Sequence, residues 1–408
     1  MIKKIDEAEF EQDLFPIVDK EAADSPWVVL KFGGTSVSTV DNWRTIAGLL
    51  RNRLDAGLKP VVVHSALKSV SNRLDAILRL AVDGDPAEQL AAIRDQHEEL
   101  AAALGLDSAA LVGESLLELG QLIAGIRLVR EVSVRVRVRV LALGEIMATR
   151  LGAEFLTQQG LRVQWVDARE HLTSNSRPGQ QRAQDYLSAT CDFAPDEAME
   201  AAFAAGAGIV LTQGFIAQNV HGETVLLGRG GSDTSGAYFA ARLRARRLEI
   251  WTDVPGMFTA DPRKVPSARL LIALHYDEAQ ELASAGSTVL HPRCLSPLRR
   301  SGIPLHIRCT TAPHISGTVV SSVTEEIEPQ VKGICNRDGL LLISMDTVGM
   351  WHEVGFLARA FAIFSEHHVS VGLVSTSETN VTVSIDTEGG VLADQLIHEL
   401  VSDLEELC

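Results

Sequence analysis

The chain of 408 residues has little aromatic content, 5%, and only five cysteines. The cysteines are far apart and form no CxxC pair, which argues against a zinc ribbon or a dithiol redox centre, so we expect them to be reduced. Basic residues are also scarce, 37 against 53 acidic ones, and the net charge is −16. A chain this acidic is a poor partner for nucleic acid or an anionic membrane, and we expect neither.

Long apolar runs are missing as well. The longest, around residues 201–211, falls short of the roughly 20 residues that cross a bilayer, so we expect no transmembrane segment. No apolar stretch follows the two lysines near the start, which argues against a secretory signal and for a cytoplasmic protein. Metal-ligand spacings such as HExxH and the GxSxG turn of serine hydrolases are absent. We therefore expect no metal held by the protein alone and no serine nucleophile.

The chain does contain short β-branched runs that alternate with amphipathic helical patterns. We predict strands at residues 28–32, 61–65, 163–166, 209–212, 248–252 and 305–308. This alternation is typical of an α/β fold, here a three-layer αβα sandwich in which helices cover both faces of a mainly parallel sheet. Residues 134–140 leave two interpretations open, because valine and arginine alternate there as in a strand although a helical pattern follows at once.

Breaks in these patterns divide the chain. We predict an irregular extension over residues 1–25, a large α/β domain over 26–315, a linker over 316–331 and a smaller domain over 332–408. In the smaller domain the predicted order is strand, helix, two strands and helix, at residues 340–345, 356–366, 369–376, 380–386 and 391–406. This βαββα order is typical of a small α+β module that senses a ligand or pairs with a copy.

The first predicted strand runs into a glycine turn at residues 31–36, KFGGTS. Two glycines let the backbone approach a ligand closely, the following helix start can face an anion, and Lys31 adds a positive charge. The lysine precedes the glycines, unlike in GxxxxGK[ST], and the third glycine of the dinucleotide fingerprint is missing. The turn therefore indicates either a phosphate cradle or an ordinary connection between strand and helix.

A second glycine-rich segment, GRGGSD at residues 228–233, precedes an alanine-rich helix. A structural turn needs one glycine, whereas this one has three, so we predict a ligand site. Arg229 can hold a carboxylate with two hydrogen bonds, and Asp233 can orient an amine or a lysine.

Two further features are ambiguous by themselves. Residues 251–258 and the Asp-Pro-Arg at 261–263 follow a predicted strand, where parallel sheets place their ligands, but they also read as a plain loop. Glu145 lies among apolar residues, so it either faces solvent or meets a cationic group.

Taken together in this order, these segments resemble the aspartate kinases. The resemblance extends to Gly214-Phe215-Ile216 and to Val289-Leu290-His291-Pro292, and the smaller domain resembles an ACT regulatory module. It implies an amino-acid kinase fold and transfer of the γ-phosphoryl group of ATP, bound with Mg²⁺, to the side-chain carboxylate of L-aspartate. The product would be 4-phospho-L-aspartate, on the way to lysine, threonine and methionine. It also implies a homodimer through the ACT module and an amino-acid effector there.

The resemblance assigns a role to each matching position. Lys31 and Asp233 would be catalytic, with Lys31 on the transferring phosphoryl group, and Ser71, Glu145 and Arg229 would hold aspartate. Positions implied to contact phosphates or nucleotide are Gly33, Gly34, Ser36, Gly230, Gly231, Ser232, Thr252, Asp253, Phe258, Arg263 and Thr288. Regulatory positions would be Met350, Glu353, Gly355, Ser370 and Val371.

Several positions depart from the family pattern. Thr288 stands where the family usually has a phosphate-binding lysine, and Arg293 or Arg263 would have to replace its charge. Gly372 stands where lysine-sensitive relatives carry aspartate, and the chain ends where the strands completing a second ACT unit should begin. These departures leave two alternatives: a catalytically weak ATP- or amino-acid-binding sensor or partner subunit, or a related kinase with glutamate, acetylglutamate or carbamate as acceptor.

Overall fold

The structure is a computed structural model. It describes residues 25–175, 182–206, 208–286, 289–322, 331–337, 339–347, 350, 353–367, 369–386 and 394–407. The chain forms two compact units, one ending at Cys335 and the other beginning at Asn336.

The first unit contains strands β1 to β10 and helices α1 to α10. The strands are β1 (Trp27–Phe32), β2 (Lys59–His64), β3 (Val163–Trp165), β4 (Ile209–Gln213), β5 (Ile216–Gln218), β6 (Thr224–Leu226), β7 (Arg247–Thr252), β8 (Ala273–His275), β9 (Leu305–Cys309) and β10 (Thr318–Ser321). The helices are α1 (Val40–Asp55), α2 (Val70–Asp83), α3 (Ala87–Leu104), α4 (Ser108–Val129), α5 (Val134–Gln158), α6 (Arg182–Leu187), α7 (Glu197–Ala205), α8 (Gly231–Arg242), α9 (Tyr276–Ser284) and α10 (Leu295–Ser301).

Eight of these strands form one sheet in the order β3-β4-β2-β1-β7-β9-β10-β8. Its pairs are parallel except for the antiparallel pair β9 and β10. Helices α1, α5 and α8 pack against its strands, which confirms the predicted mainly parallel sheet with helices. All six residues of β1 are buried, as expected for a central strand covered on both faces.

Parallel strands end at the same edge of a sheet, and this fact positions the candidate site. Strands β1, β2, β7 and β9 are neighbours or near neighbours and run in the same direction. Their carboxyl ends therefore bring the segments after Phe32, His64, Thr252 and Cys309 to one edge, where open α/β sheets place their ligands.

Residues 134–140 are helical, so the strand interpretation is wrong. Ser133 caps α5 by accepting a hydrogen bond from the amide of Val136. The arginines in this stretch are exposed and pair with acids from other elements: Arg135 with Glu223, Arg137 with Asp75 and Arg139 with Glu118. The helix forms because these partners and its buried continuation outweigh the local alternation.

Helix α4 is a long, mostly apolar helix that bears on the expectation of no transmembrane segment. By length and composition alone it could cross a membrane, with a mean hydropathy of 1.4. The search for uninterrupted apolar runs missed it because Glu114 and Glu118 interrupt the pattern. In the structure its buried side, which includes Leu119 and Ile123, packs against α2, α3 and α5.

The second unit has the predicted βαββα order. Its elements are β11 (Leu340–Asp346), α11 (Phe356–Glu366), β12 (Val371–Thr376), β13 (Asn380–Asp386) and α12 (Asp394–Glu405). The strands form an antiparallel sheet in the order β11-β13-β12. Phe356, Phe364, Val383 and Leu400 belong to the core between sheet and helices.

Two details of our domain division differ from the structure. Strand β10 lies inside the segment predicted as a linker and pairs with β8 and β9. Residues just after 331 belong to the first unit, where Lys332 forms an ion pair of 2.6 Å with Glu278 and the amide of Ile334 donates to the carbonyl of Thr259. Serine and glutamate around these residues suggested an exposed linker because sequence alone does not reveal edge pairing. The predicted extension over 1–25 lies almost wholly outside the described residues.

Candidate active site

Lys31 and Asp233 form an ion pair that joins the two glycine-rich segments. Lys31 is on β1, and its Nζ lies 2.7 Å from Oδ1 of Asp233, in the first turn of α8. The two side chains are 11% and 13% exposed, so the pair is nearly enclosed. A lysine held in this way presents a fixed positive charge at the carboxyl edge of the sheet.

The first glycine turn is packed tightly against two neighbouring segments. The amide of Gly33 donates to the carbonyl of Trp251 at 3.2 Å. A Cβ added to Gly34 would lie 2.7 Å from the carbonyl oxygen of Ala66, a contact that real side chains do not make. Gly33 would place its Cβ 3.7 Å from Nζ of Lys31. The glycines thus let the turn lie beside the lysine without covering it.

Ser36 lies deeper than predicted. Its side chain is buried, and its hydroxyl lies 3.3 Å from the carbonyl of Trp251 and 2.7 Å from the hydroxyl of Thr310. We expected this hydroxyl to contact phosphate. In the structure it holds the turn to Trp251 and Thr310, and its contact with phosphate stays a prediction.

The second glycine turn begins α8. Gly230 is the N-cap residue and has a φ of +67°, which favours glycine, and a Cβ there would collide with the ring of His291. A Cβ on Gly231 would lie 2.6 Å from Cδ2 of Phe215. The amides of Ser232 and its neighbours stand at a helix start, where N–H groups lack partners within the helix and favour an anion.

Arg229 belongs to the same turn and is exposed. Burial lowers the pKa of His291, and the charges of Arg293 and Arg229 lower it further, while Asp233 opposes the shift. Arg229 and Asp233 therefore both lie within electrostatic reach of His291. Arg229 lies four residues before Asp233, the partner of Lys31, and the convergence of Lys31 and Arg229 on one ligand stays a prediction.

Glu145 is a buried carboxyl group, and one of its two oxygens lacks a hydrogen-bond partner among the described residues. It lies on α5 and is 2% exposed, and its Oε1 accepts a hydrogen bond of 3.4 Å from the amide of Ala66. Its Oε2 has no hydrogen-bond partner among the described residues. Burial raises the pKa of Glu145 to about 8. Ser71, partly exposed in the first turn of α2, follows the loop that contains Ala66.

The third segment of the candidate site is formed by residues 251–258 and 261–263, at and after the end of β7. Thr252 donates its hydroxyl to Asp253 at 3.1 Å and its carbonyl accepts from the amide of Thr310 at 2.9 Å. Phe258 pairs with Leu270 in an isolated bridge. These contacts leave Asp253 exposed at the same sheet edge as the glycine turns.

Both arginines suggested as substitutes for the missing lysine contact neighbouring residues in the structure. Arg263 is 78% exposed and forms two hydrogen bonds of 3.0 Å with Asp261. Arg293 donates to the hydroxyl of Ser188 at 3.2 Å and to the carbonyls of Ala189 and Leu227. Thr288 itself lies outside the described residues. No group of three potential metal ligands occurs in the part of the chain that the structure describes.

The residues implied to be regulatory surround the start of α11 and the start of β12. Gly355 caps α11 with a φ of +88°, the amide of Glu353 donates to the carbonyl of Met350, and the carboxylate of Glu353 pairs with Arg359. Ser370 and Val371 lead into β12. A Cβ on neighbouring Gly372 would lie 3.0 Å from the hydroxyl of Ser384, so the site is too tight for the aspartate of lysine-sensitive relatives unless Ser384 shifts.

Sequence reasoning missed Thr310, which joins the first and third segments. A signal was present, because Thr310 is a polar residue two positions after a predicted strand. Its neighbours Ser36 and Thr252 are far away in sequence, and only the sheet order brings them together.

Residues 26–309 match the amino acid kinase family, and residues 343–400 match the ACT domain. The chain belongs to the amino acid kinase family. It is 34% identical over 388 residues to lysine-sensitive aspartokinase 3 of Escherichia coli (strain K12), which spans 93% of this chain and 83% of that protein. It is 30% identical over 396 residues to chloroplastic aspartokinase 3 of Arabidopsis thaliana, spanning 93% of this chain and 68% of that protein.

Solved structures agree with this assignment. The crystal structure of E. coli aspartokinase III in complex with aspartate and ADP matches with a TM-score of 0.79 at 33% identity, covering 92% of this chain and 83% of that one. The same enzyme in complex with lysine and aspartate matches with a TM-score of 0.68. The resemblance to the aspartate kinases is confirmed, and this member of the amino acid kinase family has the fold expected of them.

Proposed function

We propose that this chain transfers the γ-phosphoryl group of ATP to the side-chain carboxylate of L-aspartate, giving 4-phospho-L-aspartate and ADP. The observation that carries the proposal is the enclosed pair of Lys31 and Asp233, which joins two glycine turns. The first of these turns packs against Ala66, whose amide donates to the buried carboxylate of Glu145. The E. coli relative that the chain matches over most of its length was solved with aspartate and ADP. The reaction would begin the synthesis of lysine, threonine and methionine.

The chemistry requires charge stabilisation more than proton transfer. An ionised carboxylate oxygen attacks the γ-phosphorus, and the bond from phosphorus to the bridging oxygen of ADP breaks, so no base is needed. Negative charge spreads over the phosphoryl oxygens as this occurs, and fixed cationic and N–H donors stabilise it. Lys31 supplies the cation, and Asp233 keeps its ammonium in place.

The amino acid is recognised by groups of opposite sign. The open oxygen of Glu145 accepts the aspartate ammonium, and that contact ionises a carboxyl group which burial otherwise keeps largely neutral. Arg229 holds a carboxylate of aspartate with its planar guanidinium, and Ser71 adds a hydroxyl. Glutamate carries the same groups on a chain longer by one methylene, so the comparison of the two acceptors tests this assignment.

The nucleotide phosphates lie along the two turns. Gly34, Gly230 and Ser232 present backbone amides, and Thr252, Asp253 and Phe258 line the nucleotide side. The amides of Gly33 and Gly231 donate to the carbonyls of Trp251 and Gly228, so these two glycines contribute close approach of the backbone instead. Magnesium arrives with ATP and is held by phosphates and water, which suits a site with few carboxylates. Arg263 would reach the phosphates only after leaving Asp261.

The second candidate function is a catalytically weak sensor or partner subunit. Thr288 in place of lysine favours it, and so do the engaged guanidinium groups of Arg293 and Arg263. A missing donor to the transferring group costs roughly 10²–10³ in rate, which leaves binding intact. A related kinase with another acceptor keeps the same phosphate chemistry.

The second unit is proposed to regulate the first. An amino-acid effector would bind near Met350, Glu353, Gly355, Ser370 and Val371, and Gly372 argues against lysine as that effector. We further propose a cytoplasmic homodimer that pairs through this unit.

The deciding experiment is trapping of the acyl phosphate with hydroxylamine. The wild-type chain with MgATP should form hydroxamate when aspartate is added, and much less with glutamate or acetylglutamate. Nucleotide binding without hydroxamate from any acceptor would favour the sensor. Equal yields from another acceptor would identify the related kinase.

A further inference from the structure

Thr310 connects two segments of the candidate active site, the first glycine turn and the segment at the end of β7. It follows β9 and is 1% exposed. Its amide donates to the carbonyl of Thr252 at 2.9 Å, and its hydroxyl lies 2.7 Å from the hydroxyl of Ser36. Thr310 thus links the nucleotide side of the site, through its backbone amide, to the turn that follows Lys31, through its side chain.

The direction of these hydrogen bonds follows from their chemistry. The hydroxyl of Ser36 also lies 3.3 Å from the carbonyl of Trp251, which can only accept, so the single proton of Ser36 goes there. Thr310 must then donate to Ser36. The carbonyl of Trp251 receives a further bond from the amide of Gly33 at 3.2 Å. Thr310 therefore donates to Ser36, and both the hydroxyl of Ser36 and the amide of Gly33 donate to the carbonyl oxygen of Trp251.

The indole of Trp251 is fixed independently. It stacks on Phe32 with ring centroids 6.2 Å apart, and its Nε1 donates to the buried carboxylate of Glu249 at 3.0 Å. The carbonyl of Trp251 is consequently held in a fixed position. Motion of Ser36 relative to it would move the backbone amides of the first glycine turn.

We propose that Thr310 is a positioning residue, which holds the turn at residues 33–36 for the phosphates of the nucleotide and acts through Ser36. This inference rests on the proposed function for the identity of the ligand. Glu145 is linked to this turn through Ala66, whose carbonyl lies beside Gly34 and whose amide donates to Glu145, so a small shift of the turn should change the amino-acid side less than the nucleotide side. The expected signature is a clear loss of nucleotide binding with a change in aspartate binding of less than twofold.

The test substitutes Thr310→Val, which removes the hydroxyl at nearly constant volume, and Thr310→Ser, which keeps it. Calorimetry with MgADP should show a dissociation constant about five to ten times higher for the valine variant and close to wild type for serine. The KM for ATP should rise by a similar factor while the KM for aspartate stays within twofold. Ser36→Ala should reproduce the effect from the other end, and the double variant should be no worse than either single one.

A matched control is Thr382→Val, because Thr382 makes a hydroxyl pair of 2.9 Å with Ser344 in the other unit. It should leave the nucleotide constants unchanged. An unaltered MgADP constant in folded Thr310→Val or Ser36→Ala protein overturns the inference, as does an equal rise in both KM values. Binding of MgADP is measured without turnover. Absence of hydroxamate from the wild type therefore refutes the proposed reaction without deciding the role of Thr310.

Discussion

Gly34 lies directly against Ala66, because a Cβ added to Gly34 would be 2.7 Å from the Ala66 carbonyl oxygen. The amide of the same Ala66 donates to Glu145 at 3.4 Å. Ala66 therefore contacts both the turn proposed to hold phosphate and the carboxylate proposed to hold the aspartate ammonium. Displacing that loop should disturb both substrates together.

Gly34→Ala tests this relationship. The added methyl must push away backbone atoms of residues 66–68, so kcat/KM should fall at least 100-fold and the KM for aspartate should rise together with that for ATP. Steady-state hydroxamate kinetics measure both. Gly48→Ala is the control, because Gly48 lies in α1 with open space at its Cβ, and that variant should keep full activity. Full activity in Gly34→Ala would show that the loop does not constrain the site.

Lys31 and Arg229 should differ in how their loss affects kinetics. Lys31→Ala removes the cation on the transferring group, so kcat should fall by about 10²–10³ or more. Arg229→Ala should act chiefly through a higher KM for aspartate. Lys59→Ala, at the exposed start of β2, is the control for loss of a lysine. Near-normal kinetics in both active-site variants would mean that the reaction occurs elsewhere.

Elements whose residues alone define them were predicted from the sequence, whereas elements that depend on distant partners were not. Predicted strands such as 28–32 and 305–308 were confirmed to within one or two residues, since buried β-branched runs are a local property. Residues 134–140 were ambiguous because the acids that pair with their arginines come from other elements. Strand β10 was missed because only its pairing with β8 and β9 makes it a strand.

The candidate site shows the same division. Glycine turns and their charged residues were visible as motifs, and Lys31 and Asp233 do meet. The burial of Ser36 and its bond to Thr310 depend on contacts across 274 positions, which no motif encodes. The pairing of Arg263 with Asp261 is local, since the two residues are two positions apart, whereas the position of Arg263 after a predicted strand favoured a contact with phosphate.

Binding of aspartate should depend on pH through Glu145. Its pKa is about 8 in the free protein, so it is mostly neutral near pH 6.5, whereas the aspartate ammonium requires the ionised form. Binding must then release a proton, and the KM for aspartate should fall as pH rises from 6.5 to 8, by up to about tenfold per pH unit. Glu145→Gln should raise this KM and remove the pH dependence. A KM for aspartate that is flat or rises over this range in the wild type would contradict the assignment.

A second buried carboxylate, that of Glu249, should make the free energy of unfolding depend on pH in the acidic range. Glu249 is fully buried on β7, where burial alone would raise its pKa, but Arg53 and Arg247 lower it to about 2. Its stabilisation is therefore complete above about pH 4.5 and is lost as pH falls towards 2. Glu249→Gln leaves two guanidinium groups facing a neutral amide and should reduce the free energy of unfolding by about 3–5 kcal/mol at pH 7.

Urea denaturation of the Glu249 variant measures this loss. The difference from wild type should shrink as the pH drops below 4, because the wild-type carboxylate is then protonated too. Glu98→Gln, an exposed carboxylate on α3, should change stability by less than about 0.5 kcal/mol. A Glu249 variant as stable as wild type at pH 7 would show that the cluster adds nothing.

Dimer formation through the second unit should depend on β12. This strand lies at the edge of its sheet, and Leu373 and Val374 on it are 75% and 47% exposed. An exposed edge with apolar side chains is a surface on which a second copy can pair. Leu373→Lys places a charge at that surface in both copies, so light scattering at micromolar concentration should give half the wild-type mass. Val220→Lys alters an equally exposed residue in the first unit and should leave the mass unchanged. A wild-type chain that is already monomeric, or a Leu373 variant of unchanged mass, would place the contact elsewhere or exclude it.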